Sequence, residues 1–262
     1  MNWRGILCIT SFVLSAPLTA SAWPNGRKAA IVLTYDDALP SQIETALPAL
    51  DARGLKGVFF LSDIRAEDIP AWRAAAQAGH ELGNHTPFHP CLSTTFKADP
   101  RYTLEAYSPA SLLREIRLQN TLLTAIDGRT SHGFATPCGQ TTAGGEDYIE
   151  PLRASGLVTY SRGVSASSAD LSKAVADLDP MNVPARGFSS TDSDGDMIDF
   201  AEQAMAGGGL AVFLFHGVGG DHLAVSSKDH AAFLDWLNNH QREVWVTTLG
   251  EALAWRDPAA HP

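Results

Sequence analysis

Cysteine is scarce in this chain, with three in 262 residues, and positive charge is short of negative, leaving a formal net charge of −10. Beyond the N-terminal stretch no apolar run is long enough to cross a bilayer, which excludes a later membrane span. The acidic balance disfavours a nucleic-acid partner or an anionic membrane surface. No internal repeat and no linker-like stretch interrupts the chain, which argues against a solenoid or a two-domain split. What remains is an ordinary globular composition, 45% hydrophobic and 18% charged, in a chain long enough for a full core.

The first residues have the composition of a targeting segment. Arg4 supplies a positive start, Ile6 to Leu18 is apolar apart from hydroxyl side chains, and Ala20-Ser21-Ala22 offers the small residues that a signal peptidase reads. The apolar run is too short for a comfortable membrane anchor. Residues 1–22 are therefore expected to be an export signal and residues 23–262 one domain, periplasmic or secreted. Cys8 leaves with the signal. Cys91 and Cys138 then stand alone in an oxidising compartment and are expected to pair. Closing so long a loop is worth about 4 kcal/mol in the chain-entropy account.

Strand-like apolar runs alternate with helical patterns throughout. Strands are expected at Ala29 to Tyr35, Gly57 to Leu61, Gly133 to Thr136, Leu157 to Tyr160, Leu210 to Phe215 and Val244 to Thr247. Helical faces appear at Ile43, Leu47 and Leu50, around Trp72, from Asp229 to Asn239, and from Leu249 to Trp255. The clearest helix opens at Ser108-Pro109, an N-cap followed by proline at the first helical position. It carries Leu112, Ile116, Leu123 and Ile126 on one face and stops near Gly128. The polar stretches from Thr94 to Tyr107 and from Ser161 to Asp196 read as loops. Such alternation implies an α/β fold of parallel βαβ units, with functional groups at the strand C-terminal ends.

Three features can carry chemistry at those ends. Asp36-Asp37 follows the first strand; on an extended chain adjacent side chains point to opposite sides, so one carboxylate could bind a metal while the other takes a proton. His85 and His89 are four apart, but Pro87 and Gly83-Asn84 oppose a helix, and Thr86 stands where a zinc-protease motif needs glutamate. His216 ends the Leu210 to Phe215 strand. Singly, these fit solvated strand ends and ordinary loop histidines; together they place two carboxylates and three imidazoles on one rim.

In this combination the chain resembles the polysaccharide deacetylase family, carbohydrate esterases with a NodB-type domain, from about Lys28 to Trp255. Thr34-Tyr35-Asp36-Asp37-Ala38 is similar to the family's first motif. The stretch from Gly79 to His89 is similar to the second, and Leu214-Phe215-His216 to the last. The resemblance implies a distorted (β/α) barrel with fewer than eight strands, Asp36 as catalytic base, and a divalent metal, zinc first among the choices, on Asp37, His85 and His89. It further implies His216 as general acid. The expected reaction is hydrolysis of N-acetyl groups on an acetylated oligo- or polysaccharide, with an O-acetyl esterase or a non-catalytic carbohydrate binder as alternatives.

Two motifs depart from the family. Ala135-Thr136-Pro137-Cys138-Gly139 lacks the motif arginine and replaces its tyrosine with Cys138, whose backbone N–H could still serve the oxyanion. Arg162 or Arg186 is the expected substitute for the arginine. The fourth motif has no clear counterpart beyond Asp179. Asp192 to Asp196 resembles a calcium loop without its terminal glutamate, Gly207-Gly208-Gly209 lacks a phosphate-binding pattern, and His80, His132, His222, His230, His240 and His261 read as structural or surface residues.

Overall fold

The computed structural model describes residues 23–95, 97–165 and 177–255. The expected export signal, Cys8 within it, and His261 lie outside the described residues. In chain order the strands and helices are β1 (Ala29–Asp36), α1 (Leu47–Asp51), β2 (Val58–Leu61), α2 (Ile69–Gln77), β3 (Glu81–Asn84) and α3 (Pro109–Asp127). Then come β4 (Phe134–Ala135), the hairpin of β5 (Thr142–Ala143) and β6 (Glu146–Asp147), α4 (Ile149–Ser155), β7 (Ser161–Arg162) and β8 (Arg186–Gly187). The chain continues through α5 (Asp194–Gly207), β9 (Leu210–Phe215), α6 (Ser227–Asn239), β10 (Val244–Thr247) and α7 (Leu249–Ala254).

The main sheet runs β7-β4-β3-β2-β1-β9-β8, with β10 joined to β1, and its pairings are parallel. β1 is its axis. One edge pairs with β9; the other pairs first with β10 at Ala29–Val32 and then with β2 at Thr34–Asp36. The segment 183–187 closes the circuit: Gly163 N donates to Val183 O and Ser165 N to Ala185 O, while Arg186 and Gly187 pair with β9. The sheet thus curls into a distorted barrel of short strands.

Burial on both faces explains why β1 reads as an unbroken apolar run. Side-chain alternation sorts it all the same. Ile31, Leu33 and Tyr35 pack outward with Phe59, Phe213 and Phe215 under the helices, while Ala30 and Val32 point inward with Val58, Phe60, Val212 and Leu214. The same parity turns Asp36, the last residue of β1, toward the interior.

Several expectations shift. The ladder beside β4 begins with Thr159 and Tyr160, as read, but the regular strand is Ser161–Arg162, because Phe134 pairs with Ser161. The stretch read as a loop to Asp196 contains β7, β8 and the start of α5. There Asp192-Ser193-Asp194-Gly195-Asp196 serves as a helix cap: Ser193 accepts from Asp196 N, and the Asp196 carboxylate accepts from Ser193 N at 2.8 Å. The helix after β1 opens with a π turn, Gln42–Ala46, before α1. α3 has the expected limits, with Ser108 as N-cap and Gly128 at φ 76° ending it, but its buried stripe also holds Glu115 and Gln119.

Candidate active site

Asp36 is buried, and Arg162 Nη2 donates to its Oδ1 at 2.6 Å and also to Oδ2. Arg162 is fully buried, with its guanidinium 5.1 Å from the centre of the Phe60 ring. That ring fits because Gly83 is glycine: a Cβ there would stand 2.4 Å from Phe60. Of the two candidate arginines, then, the barrel brings Arg162 to Asp36 across β4, β3 and β2. Arg186 points elsewhere. Its guanidinium lies over Phe188 and Phe200 and 3.8 Å from Asp192, because β8 sits on the far side of β9 from Asp36.

The expectation that Asp36 and Asp37 face opposite sides is wrong. Asp37 leaves the strand at φ 82°, a left-handed conformation that folds its carboxylate back toward the same cavity. His85 Nε2 is consequently 3.6 Å from Asp36 Oδ2 and 3.5 Å from Asp37 Oδ1. Burial by itself would raise Asp37, but the His222 hydrogen bond and the imidazoles of His85, His89 and His216 overcome it and hold its carboxyl well below the usual range. The tight backbone recurs around the site, at Thr86 (φ 59°), His89 (φ 43°) and Cys138 (φ 52°). Such strain persists where surrounding contacts over-determine the fold and clusters at functional sites.

A chain of hydrogen bonds holds the histidine loop. Buried Asn84 donates to Ile116 O and Asn120 Oδ1 of α3, and its Oδ1 accepts from Thr86 N at 2.9 Å. Thr86 Oγ1 in turn accepts from His89 N at 3.0 Å. His85 Nδ1 donates to Ala135 O at 2.9 Å, so its Nε2 offers a lone pair. Burial pushes His85 down to about 4, with the Asp36 carboxylate opposing, so the ring is neutral at neutral pH.

His85 Nε2 and His89 Nε2 are 3.0 Å apart, and each lies 3.5 Å from Asp37 Oδ1. That oxygen is buried without a hydrogen-bond partner. Ligands about 2.0–2.2 Å from one tetrahedral ion stand roughly 3.4 Å from each other, so this N₂O set fits a divalent transition metal. His89, Cys91 and Cys138 also converge, but Cys91 and Cys138 are joined in a disulfide with Cα atoms 5.7 Å apart, which removes their thiolates as ligands. The bridge ties the His89 loop to the Cys138 turn.

His216 and His222 complete the rim. His216 Nε2 is 3.9 Å from Asp37 Oδ2. Burial lowers its pKa while the Asp36 and Asp37 carboxylates oppose the shift. Asp179, the candidate fourth-motif aspartate, is not among the residues lining the cleft and pairs with Arg153 at 2.7 Å. His222 is exposed, as a surface residue is expected to be, yet its Nε2 is 2.8 Å from Asp37 Oδ2, a contact that the sequence reading missed. It gets there because the loop after β9 doubles back at Gly217, where a Cβ would stand 2.0 Å from Gly220 O. Ser41 N anchors that loop through Asp221 at 2.8 Å. No spacing pattern in the sequence marks His222; the glycine-rich Gly217-Val218-Gly219-Gly220 turn before it was the available clue. His80, His132, His230 and His240 bond to Asp51, Asp127, Tyr35 and Trp236, away from the cleft.

Together Asp36, Asp37, His85, His89, Cys138, Arg162, His216 and His222 line a cleft of about 460 Å³. A cavity of about 490 Å³ at the opposite end of the barrel, beside Glu81 and His132, contains none of them. The curled parallel sheet flanked by helices is the NodB-type deacetylase architecture. The model of the polysaccharide deacetylase family matches residues 24–152 of this chain, a span holding Asp36, Asp37, His85, His89 and Cys138.

Among solved structures, the catalytic domain of a peptidoglycan N-acetylglucosamine deacetylase from Eubacterium rectale shares the fold at TM-score 0.57 and 18% identity, covering 88% of this chain and 94% of its own. The Xyl-CE4 domain of a multidomain xylanase from the hindgut metagenome of Trinervitermes trinervoides does so at TM-score 0.54 and 18% identity, covering 86% of this chain and 89% of its own. A gellan lyase from Bacillus sp. is 24% identical over 246 residues, 89% of this chain. The chain spans about a tenth of that curated relative's length, with 10% of it covered.

Proposed function

We propose that this protein is an exported, metal-dependent hydrolase that removes N-linked acetyl groups from an acetylated oligo- or polysaccharide. The carrying observation is the convergence of Asp37 Oδ1, His85 Nε2 and His89 Nε2 beside an Asp36 carboxylate gripped by a buried arginine. Residues 1–22 are the export signal in this reading and residues 23–262 the catalytic domain, working in the periplasm or outside the cell.

Asp37, His85 and His89 hold the metal, with zinc favoured by the imidazole and carboxylate donors. A divalent ion held there would supply Lewis-acid polarisation of the acetyl carbonyl and a lowered pKa for water at neutral pH. Asp36 takes the proton of the attacking water, and Arg162 fixes the orientation of its carboxylate. Cys138 N–H steadies the oxyanion from a turn locked by the disulfide; one such donor is worth about 3–4 kcal/mol of barrier. His216 gives a proton to the departing amine. His222 donates to Asp37 Oδ2 and leaves Oδ1 free for the metal.

Acetate release and metal content, followed together on acetylated chitin fragments, peptidoglycan and xylan, test the reading. Asp36→Asn should keep its metal and lose roughly 10²–10⁴ in turnover, the usual worth of a general base. Asp37→Ala should lose metal and activity together. Near-full turnover in Asp36→Asn, or unchanged metal affinity in Asp37→Ala, would sink the assignment; faster release from xylan than from N-acetylated substrates would favour the ester reading.

A further inference from the structure

Among the described residues five large apolar side chains are exposed: Phe88 (61%), Tyr102 (48%), Leu118 (59%), Val164 (53%) and Leu223 (58%). Leu118 lies on the outer face of α3. The other four crowd round the cleft. Val164 and Leu223 line the cavity that holds Asp36 and His216. Phe88 and Tyr102 line a second cavity of about 400 Å³ with Asp63, Pro87, Ala98 and His89. The two cavities share His89, so the second continues the first past the metal-binding loop.

The second cavity is built for a ring with both faces and edges to satisfy. Phe88 and Tyr102 stand with centroids 5.9 Å apart and planes tilted by 39°, an open angle rather than a closed stack. Both side chains are exposed, and the Arg101 guanidinium stands 5.7 Å from the centre of the Tyr102 ring. Asp63 supplies an acceptor in the same cavity, at a left-handed backbone position (φ 43°) where its N bonds to Pro87 O at 3.3 Å. Leaving two aromatic rings in water costs apolar hydration that folding normally avoids, and aromatic faces beside an acceptor match the C–H faces and hydroxyl edges of a pyranose.

We infer that Phe88 and Tyr102 form a subsite that stacks a neighbouring sugar of the substrate chain, on the His89 side of the acetylated residue. The inference rests on the carbohydrate reading of the cleft and adds to it a direction and a minimum length: the preferred substrate is an oligomer that runs past His89.

Steady-state kinetics on N-acetylated chito-oligosaccharides and acetylated xylo-oligosaccharides of two to six sugars test it. Wild type should gain in kcat/KM with length, through KM. Phe88→Ala should reduce that gain about 3- to 10-fold, the scale of one aromatic contact, with kcat on the longest substrate little altered. Phe88→Trp should restore the gain, and Leu118→Ala should leave it as in wild type. An equal length dependence in wild type and Phe88→Ala, or a loss confined to kcat, overturns the subsite. Absence of turnover on both series and on acetylated peptidoglycan overturns the carbohydrate reading itself.

Discussion

Removing Arg162 tests the site's most heavily buried interaction. The side chain has no exposure, both carboxylate oxygens of Asp36 receive its Nη2, and Phe60 covers its face. Arg162→Met keeps much of the volume but strands a carboxylate that has negligible contact with water. Breaking a buried pair from one side costs about 3–5 kcal/mol, chiefly as the penalty of the uncompensated charge. For a domain of this size that corresponds to a fall in Tm of roughly 6–20 °C.

The double variant Arg162→Met with Asp36→Asn should recover most of that loss, because no isolated charge remains. Arg162→Lys should fall between, since a lysine keeps charge but cannot reproduce the planar fork or the stack on Phe60. Urea unfolding of wild type, Arg162→Met, Asp36→Asn and the double variant gives the coupling energy directly. Arg162 touches Asp36 and not the proposed ligands, so metal content should hold while acetate release drops. Stability of Arg162→Met within about 1 kcal/mol of wild type, or a double variant no better than the single one, would refute this account of a buried charge pair.

His222→Ala should weaken zinc about 10- to 100-fold, the usual effect of losing a partner behind a metal ligand; His222→Gln, which can still donate to Asp37, should retain most of the affinity in chelator competition. Reduction of Cys91–Cys138, or Cys91→Ser, should cost about 4 kcal/mol in unfolding experiments, and alkylation of unreduced folded protein should label neither cysteine. The buried His230, bonded to Tyr35 Oη at 2.8 Å, is pushed by burial down to about 3. Its folded-state pKa is depressed, so its contribution is present above the unfolded value near 6.5 and is lost as pH falls toward 3. Between pH 7 and pH 5 this group alone should remove about 2 kcal/mol of stability. His230→Gln should flatten that slope, and an unchanged slope would mean that other groups set it.

The apolar periodicity by itself determined the alternating α/β pattern, the limits of β1, β9, β10 and α3, and the clustering of Asp36, Asp37, His85, His89 and His216 at strand or loop ends. Those features are local: a buried parallel strand needs a continuous apolar run, an N-cap needs its serine, and motif spacing survives in one dimension. Tertiary structure decided the rest. Strands of two residues such as β7 and β8 carry too few side chains to show a period, and they exist because neighbouring strands supply their hydrogen bonds.

Arg162 and Arg186 were indistinguishable as letters; curling of the sheet set one beneath Asp36 and the other against Phe188. The two adjacent carboxylates share one cavity because Asp37 is held at φ 82°, a conformation that tertiary contacts impose and an extended-strand reading cannot anticipate. His222 has no motif because its meeting with Asp37 spans 185 positions and is made by a doubled-back loop. A contact between residues so far apart depends on where the whole barrel brings its ends together, which no local pattern encodes.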